Sequence, residues 1–287
     1  MSALPTHPDA NNPEIGQFVA AAGVTTNFHD YGSVADGGRP ALLLHGSGPG
    51  VSAWANWRLT LPALARHTRV IAPDIIGFGF TERPQPERYD VDAWVAHLES
   101  FLDALALDEI DLIGNSFGGA LALRFALRHP QRVRRLVLMG AVSLSFPITE
   151  GLDAVWGYTP SVENMRRLLD LFAFDRSLVN DELAELRHRA AARPGVQESF
   201  AAMFPAPRQR WIDALASSED ELRGLDKELL IVHGREDRVI PCAVSQRLFE
   251  ITDRSQLHLF GRCGHWVQIE HAERFNRLVG QFLIEDA

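Results

Sequence analysis

The sequence predicts an α/β fold: a mostly parallel sheet with helices on both faces and an all-helical segment inserted between two strands. Three observations carry this expectation. Short, continuous apolar runs recur along the 287 residues, as they do in strands buried on both faces. Between them lie stretches whose apolar residues return every three or four positions, the helix period. One long stretch, from about Ser145 to Leu215, has helical patterns and little strand signal.

Taken in order, residues 1–16 read as a loose arm without an apolar signal-like core. Thr25 to Tyr31 reads as a first strand, ended by Asp36-Gly37-Gly38. Ala41 to Leu44 is a short strand that stops at His45-Gly46, and Val70 to Ala72 is another that ends at Pro73-Asp74. Asp90 is placed to cap a helix in which Val91, Trp94, Val95, Leu98, Phe101, Leu102 and Leu105 share one face. Ile110 to Ile113 and Val133 to Met139 are strands flanking a helix from Ala120 to Leu127. In the inserted segment, helices are expected at Val162–Phe172, Asp181–Ala192 and Gly195–Phe204, the last stopped by Pro205 and Pro207. Strands at Leu229–Val232 and Gln256–Phe260 and a closing helix over Asn276–Leu283 complete the chain. The expected division is a core of residues 1–144 and 216–287 interrupted by a helical cap of residues 145–215.

Composition narrows the function. Hydrophobic content of 46% and charged content of 23% are those of an ordinary folded domain. A formal net charge of -9 argues against a nucleic-acid surface and offers no attraction to anionic membranes. No stretch approaches ~18 consecutive apolar residues, so no membrane span is expected. Cys242 and Cys263 form neither a metal-like cluster nor a disulfide scaffold and read as free thiols in a reducing, cytoplasmic setting.

The chemistry concentrates at Gly114-Asn115-Ser116-Phe117-Gly118-Gly119, between a strand and a helix. A strand, a sharp turn of small residues and a helix make a nucleophile elbow, with the Ser116 hydroxyl exposed above the sheet edge. A serine hydroxyl is a weak nucleophile and needs a base oriented by a third group. With such an elbow the acid and then the histidine follow along the chain. Asp237, just past the strand Leu229–Val232, is the acid candidate, with Glu236 as its neighbouring rival. Of the eleven histidines, His265 follows the last strand and is the base candidate, while His45 and His233 read as structural residues at strand ends. The glycine-rich loop His45 to Gly50 offers the Ser47 amide for an oxyanion site, and the Phe117 amide offers a second donor. That loop lacks the G-x-x-x-x-G-K-S/T of a phosphate cradle, and no G-x-G-x-x-G opens a helix.

The strings HGSGPGVSAWANWR (45–58), APDIIGFGFTERP (72–84), GNSFGG (114–119), ITEGLDAVWGYTP (148–160) and GRCGHWVQIE (261–270) resemble those of the α/β-hydrolases that cleave carbon–carbon bonds in meta-cleavage products of aromatic catabolism. The similarity runs from about Ile15 to the C-terminus, and is nearest to the 2-hydroxymuconate semialdehyde hydrolases. It implies an α/β-hydrolase fold with an eight-stranded sheet and a cap. It implies Ser116, Asp237 and His265 as the triad, and Asn56, Asn115, Arg187 and Trp266 as substrate-binding residues. It implies no metal or organic cofactor, and a homodimer. Read without the resemblance, Arg187 is a helix-surface arginine, Asn56 a helix cap, Asn115 a support for the elbow backbone and Trp266 core packing. Phe146, Ile148, Trp156, Phe172 and Phe174 are candidates for the pocket wall or for the core of the cap.

The implied substrate is a 2-hydroxy-6-oxo-2,4-dienoate, split into 2-hydroxypenta-2,4-dienoate and an acid, with hydrogen or methyl on C6. Attack by Ser116 itself and His265-activated water adding to a gem-diol both remain open. Two other readings stand beside it: preference for larger 6-alkyl or 6-phenyl dienoates, and a carboxylesterase or lactonase on the same triad. A haloalkane dehalogenase would need a carboxylate where Ser116 stands. A scaffold protein would have no use for a complete triad in this order.

Overall fold

The strand runs alternate in destination as a two-residue period requires. In the computed structural model, which describes residues 12–34 and 38–285, Leu42 and Leu44 pack on one face of the sheet while Ala41 and Leu43 pack on the other. Leu136 and Leu138 against Val137 and Met139, and Leu229 and Ile231 against Leu230 and Val232, do the same. The first face is covered by the helices Val91–Ala104, Phe117–Arg128 and Cys242–Ile251, and the second by Ala53–Trp57, Leu61–Leu64 and Ala272–Ile284. Most of the N-terminal arm, residues 1–11, lies outside the described residues, as do Asp36 and Gly37.

The sheet has eight strands among the described residues: β1 Gln17–Ala21, β2 Val24–Tyr31, β3 Ala41–Leu44, β4 Val70–Pro73, β5 Ile110–Asn115, β6 Val133–Met139, β7 Glu228–Gly234 and β8 Ser255–Phe260. Their order is β1-β2-β4-β3-β5-β6-β7-β8, with β2 antiparallel to both its neighbours, β1 and β4, and every other pair parallel. The chain passes from β3 to β4 on one side and to β5 on the other. The loops leaving β3 and β5 therefore diverge at a switch point, where open α/β sheets hold their ligands.

β1 is the strand that the apolar pattern does not mark: it is an outer strand, paired on one side with β2, and only Ala21 in it is fully buried. Asp90 caps its helix as expected, accepting from the Ala93 amide at 2.8 Å. Between β6 and β7 the chain forms helices at Glu150–Trp156, Val162–Phe172, Asp181–Ala191, Val196–Met203, Gln209–Leu215 and Glu219–Arg223. Among the described residues no helix is long and apolar enough to cross a membrane.

Candidate active site

The elbow is set by close packing. A Cβ on Gly114 would lie 2.4 Å from the Gly118 carbonyl oxygen, and one on Gly118 would lie 2.4 Å from the carbonyl oxygens of Leu44 and His45. Only glycine at both positions lets the helix Phe117–Arg128 start directly against β3 and β5. Ser116, between them, is forced to φ 54° and ψ -115°, a strained conformation for a residue with a side chain. Its amide donates to the Met139 carbonyl at 2.9 Å, which ties the turn to β6.

His265 follows β8 in the loop 261–266. Its amide donates to the Phe172 carbonyl at 2.7 Å, and the Phe172 ring stacks on both His265 and Trp266. His265 Nδ1 and Asp237 Oδ2 are 2.7 Å apart. An ionised carboxylate only accepts, so Nδ1 carries the proton and Nε2 is left as the basic nitrogen. Glu236 does not reach His265; it accepts from the Cys263 amide and from Arg235.

Asp237 is saturated. Oδ1 accepts from the amides of Val239 at 2.7 Å and Ile240 at 3.0 Å, Oδ2 accepts from His265, and His233 Nε2 shares its one N–H between Oδ2 and the Ile240 carbonyl, each 3.1 Å away. Burial alone would raise its pKa, but the charge on His265 and the hydrogen bonds from both histidines outweigh that and hold the carboxyl far below its usual range. His233 is thus more than a strand-end residue. Ser245 fixes its Nδ1 at 2.7 Å, and its other nitrogen faces the acid. His45 does hold a strand end. Complete burial pushes its pKa down to about 4, so the neutral ring donates from Nδ1 to the Gly46 carbonyl at 2.8 Å and accepts the Ile75 amide on Nε2 at 3.0 Å.

Ser116 and His265 open onto one cavity of about 370 Å³, with Ser47, Asn56, Asn115, Arg187 and Trp266 also in its wall. The Ser47 amide has no acceptor among the described residues, and Phe117 opens its helix, where an amide has no acceptor within the helix. Ser47 Oγ accepts from the indole of Trp156 at 2.9 Å. Trp156 is therefore a brace for the loop that carries Ser47 and not a wall of the cavity. Phe146 and Ile148 also pack into the core, and Phe174 is 40% exposed, so of the five aromatic and aliphatic candidates only Phe172 lines the cavity. Leu152, Val155, Met165, Leu169 and Val239 are among the other apolar residues of the wall.

Asn56 lies within the helix Ala53–Trp57, which Ser52 caps, and does not cap the helix after it, Leu61–Leu64, whose N-cap position is Thr60. Its Nδ2 donates to Asn115 Oδ1 at 3.1 Å, and Asn115 Nδ2 donates to the Met139 carbonyl at 3.3 Å. Asn115 thus supports the elbow backbone and faces the cavity at once. Arg187, on the helix Asp181–Ala191, is not a surface arginine. Its side chain is 14% exposed, donating from Nη2 to the Gly50 carbonyl and from Nη1 to Glu14 Oε1 at 3.3 Å. The sequence pattern leaves Glu14 unmarked, and marks Trp156 and His233 but not for the contacts they make with Ser47 and Asp237. Of these contacts only that of His233 carries a signal, its four-residue spacing from Asp237 across a turn.

Over residues 40–272 the chain matches the family model described as the alpha/beta hydrolase fold. It is 64% identical over 272 residues to a 2-hydroxy-6-oxo-2,4-heptadienoate hydrolase of Pseudomonas putida, spanning 95% of this chain and 97% of that protein. It is 62% identical to a 2-hydroxymuconate semialdehyde hydrolase of Pseudomonas sp. CF600, spanning 96% of each. Among solved structures, it superposes with a TM-score of 0.92 and 61% identity on the meta-cleavage product hydrolase CumD of Pseudomonas fluorescens IP01, a serine-to-alanine variant complexed with acetates, over 94% of this chain and 98% of that one.

Proposed function

From a chain that belongs to the α/β-hydrolases, and within them to the meta-cleavage product hydrolases, we propose a serine-type hydrolase that cleaves the C5–C6 bond of 2-hydroxymuconate semialdehyde and of its 6-methyl analogue. The products are 2-hydroxypenta-2,4-dienoate with formate or acetate. The observation that carries this reading is the meeting of Arg187 with Ser116 and His265 in one cavity. An ester hydrolase needs the last two and has no use for the first.

A carbon leaving group departs only if its electrons have a sink. Ketonisation of the 2-hydroxydienoate supplies one, because the C2 carbonyl then accepts the electron pair released from C5–C6. In this reading Arg187, a planar fork of donors, pairs with the carboxylate and 2-oxygen end. Asn56 and Asn115 hold the same polar end, and Trp266 with Phe172 flanks the diene. His265 Nε2 moves the proton that makes the keto form and then serves the attack on the C6 carbonyl, by Ser116 or by water. The amides of Ser47 and Phe117 face the oxyanion. Asp237, kept ionised, orients His265 and balances its positive charge. The small C6 substituent is supported by the names of the relatives at 64% and 62% identity, which act on the 6-methyl and 6-hydrogen compounds.

The same reading takes the enzyme as a cytoplasmic homodimer. The two free thiols suit a reducing compartment, and sedimentation velocity tests the dimer. The activity is tested by giving the 6-hydrogen, 6-methyl and 6-phenyl dienoates and a nitrophenyl ester to wild type and to Arg187→Ala. The expected result is fast loss of the first two dienoates in wild type, lost by about a hundredfold or more in the variant, with ester hydrolysis little changed. Equal loss of both activities, or ester turnover alone, would favour the esterase reading.

A further inference from the structure

The carboxylate of Glu14 stands in the cavity wall beside Arg187 and Arg58, where no step of the reaction requires it. Its placement is tightly determined. The Glu14 amide donates to Asn12 Oδ1 at 3.0 Å, its carbonyl accepts from Asn27 Nδ2 at 3.0 Å, and the Gly16 amide donates to Asn27 Oδ1 at 2.8 Å. A Cβ on Gly16 would lie 2.1 Å from the Phe28 carbonyl oxygen, so the segment is pressed against β2. Glu14 Oε2 accepts from the Ser52 hydroxyl at 2.6 Å, and its side chain is 15% exposed.

The bond to Arg187 is different in kind. At 3.3 Å it is long for a charge-assisted pair, while the other arm of the same guanidinium holds the Gly50 carbonyl closely. Arg187 is thus anchored to the core through Gly50 and only loosely engaged by Glu14. Of the side chains that line the cavity, Arg187 and Arg58 carry positive charge and Glu14 carries negative charge, while Arg193 and Asp74 act on this group from outside the lining and offset one another. One positive charge is left for a monoanion, and an uncompensated pair of arginines would grip that monoanion far more tightly.

We propose that Glu14 is a resident counter-ion at the substrate's carboxylate site, sharing Arg187 with the bound anion and weakening its hold so that the product is released. This rests on the carboxylate-at-Arg187 reading above. The released 2-hydroxydienoate keeps the same carboxylate as the substrate, so whatever binds one retains the other. Glu14 adds like-charge repulsion to both, and sets affinity without touching the reacting bond. It tunes affinity and is not a catalytic residue.

The test is titration of 2-oxopentanoate, a saturated mimic of the product's keto form, followed by the fluorescence of Trp54 and Trp266 in the cavity wall. Wild type, Glu14→Gln and Glu14→Asp are compared, with binding stoichiometry reporting the folded fraction of each. Glu14→Gln is expected to bind about tenfold more tightly and Glu14→Asp like wild type, because charge and not shape is what matters. Equal or weaker binding by Glu14→Gln, equal tightening in both variants, or no binding by any of the three would overturn the proposal. Dienoate turnover by the same wild-type preparation separates the two readings. Turnover without tightening refutes Glu14's role alone, and tightening without turnover refutes the substrate alone.

Discussion

At the scale of single residues, Asp237, the acid of the proposed triad, is held by more groups than a triad requires. Asp237 accepts from two amides of its own turn and from His265, and its Oδ2 shares the His233 N–H with the Ile240 carbonyl. Each fixes the carboxylate's plane, and with it the direction of His265 Nε2. Replacing His233 by Phe removes one donor to Oδ2 and leaves the Ser245 hydroxyl without its acceptor. The expected cost is about tenfold in kcat with KM little moved, measured on whichever substrate wild type turns over. An unchanged kcat would assign His233 to packing alone. The positions of Ser116, Asp237 and His265, the proposed triad, were legible in the sequence because chain order and strand ends locate them without distances. The support from His233, and the pairing of Glu14 with Arg187, were not legible. The first is a choice among eleven histidines, and the second joins residues 173 positions apart.

At the scale of elements, the strand–turn–helix around Ser116 stores strain for function. Ser116 sits at φ 54° because the glycines on either side bring the helix hard against β3 and β5. Ser116→Gly is expected to raise stability by roughly 1–2 kcal/mol, by relieving that conformation, while abolishing turnover. Ser116→Ala should abolish turnover without the gain. Chemical denaturation of the three proteins checks this, and equal stabilities for the two variants would show the turn to be unstrained. The buried strands β3 to β7 could be read because they are continuous apolar runs. β1 could not, since an outer antiparallel strand with one fully buried residue looks like loop. The wall of the cavity was equally hidden. A side chain that lines a pocket and one that fills the core between helices are both apolar, and Phe172 differs from Trp156 only in where the packing turns it.

At the scale of the whole molecule, buried neutral histidines link stability to pH. His97, on the helix Val91–Ala104, meets the Thr26 hydroxyl of β2 at 2.8 Å, and burial pushes its pKa down to about 4 from an ordinary 6.5. Between those values the unfolded chain binds a proton that the native chain does not. The stabilisation is therefore complete above pH 6.5 and lost as pH falls toward 4. His97→Asn should lose less stability than wild type between pH 7 and pH 5, by about 2 kcal/mol. Other titrating groups are common to both proteins and cancel in the difference, so parallel pH profiles would show His97 to be protonated in the fold. The larger claim is that sheet, cap and cavity together form a carbon–carbon bond hydrolase, and it is tested most directly by stoichiometry. Wild type is given 2-hydroxymuconate semialdehyde, and formate is quantified against the dienolate absorbance lost. One formate per dienoate consumed, and none with Ser116→Ala, is the expected result. Loss of absorbance without formate, or no loss at all, would contradict it.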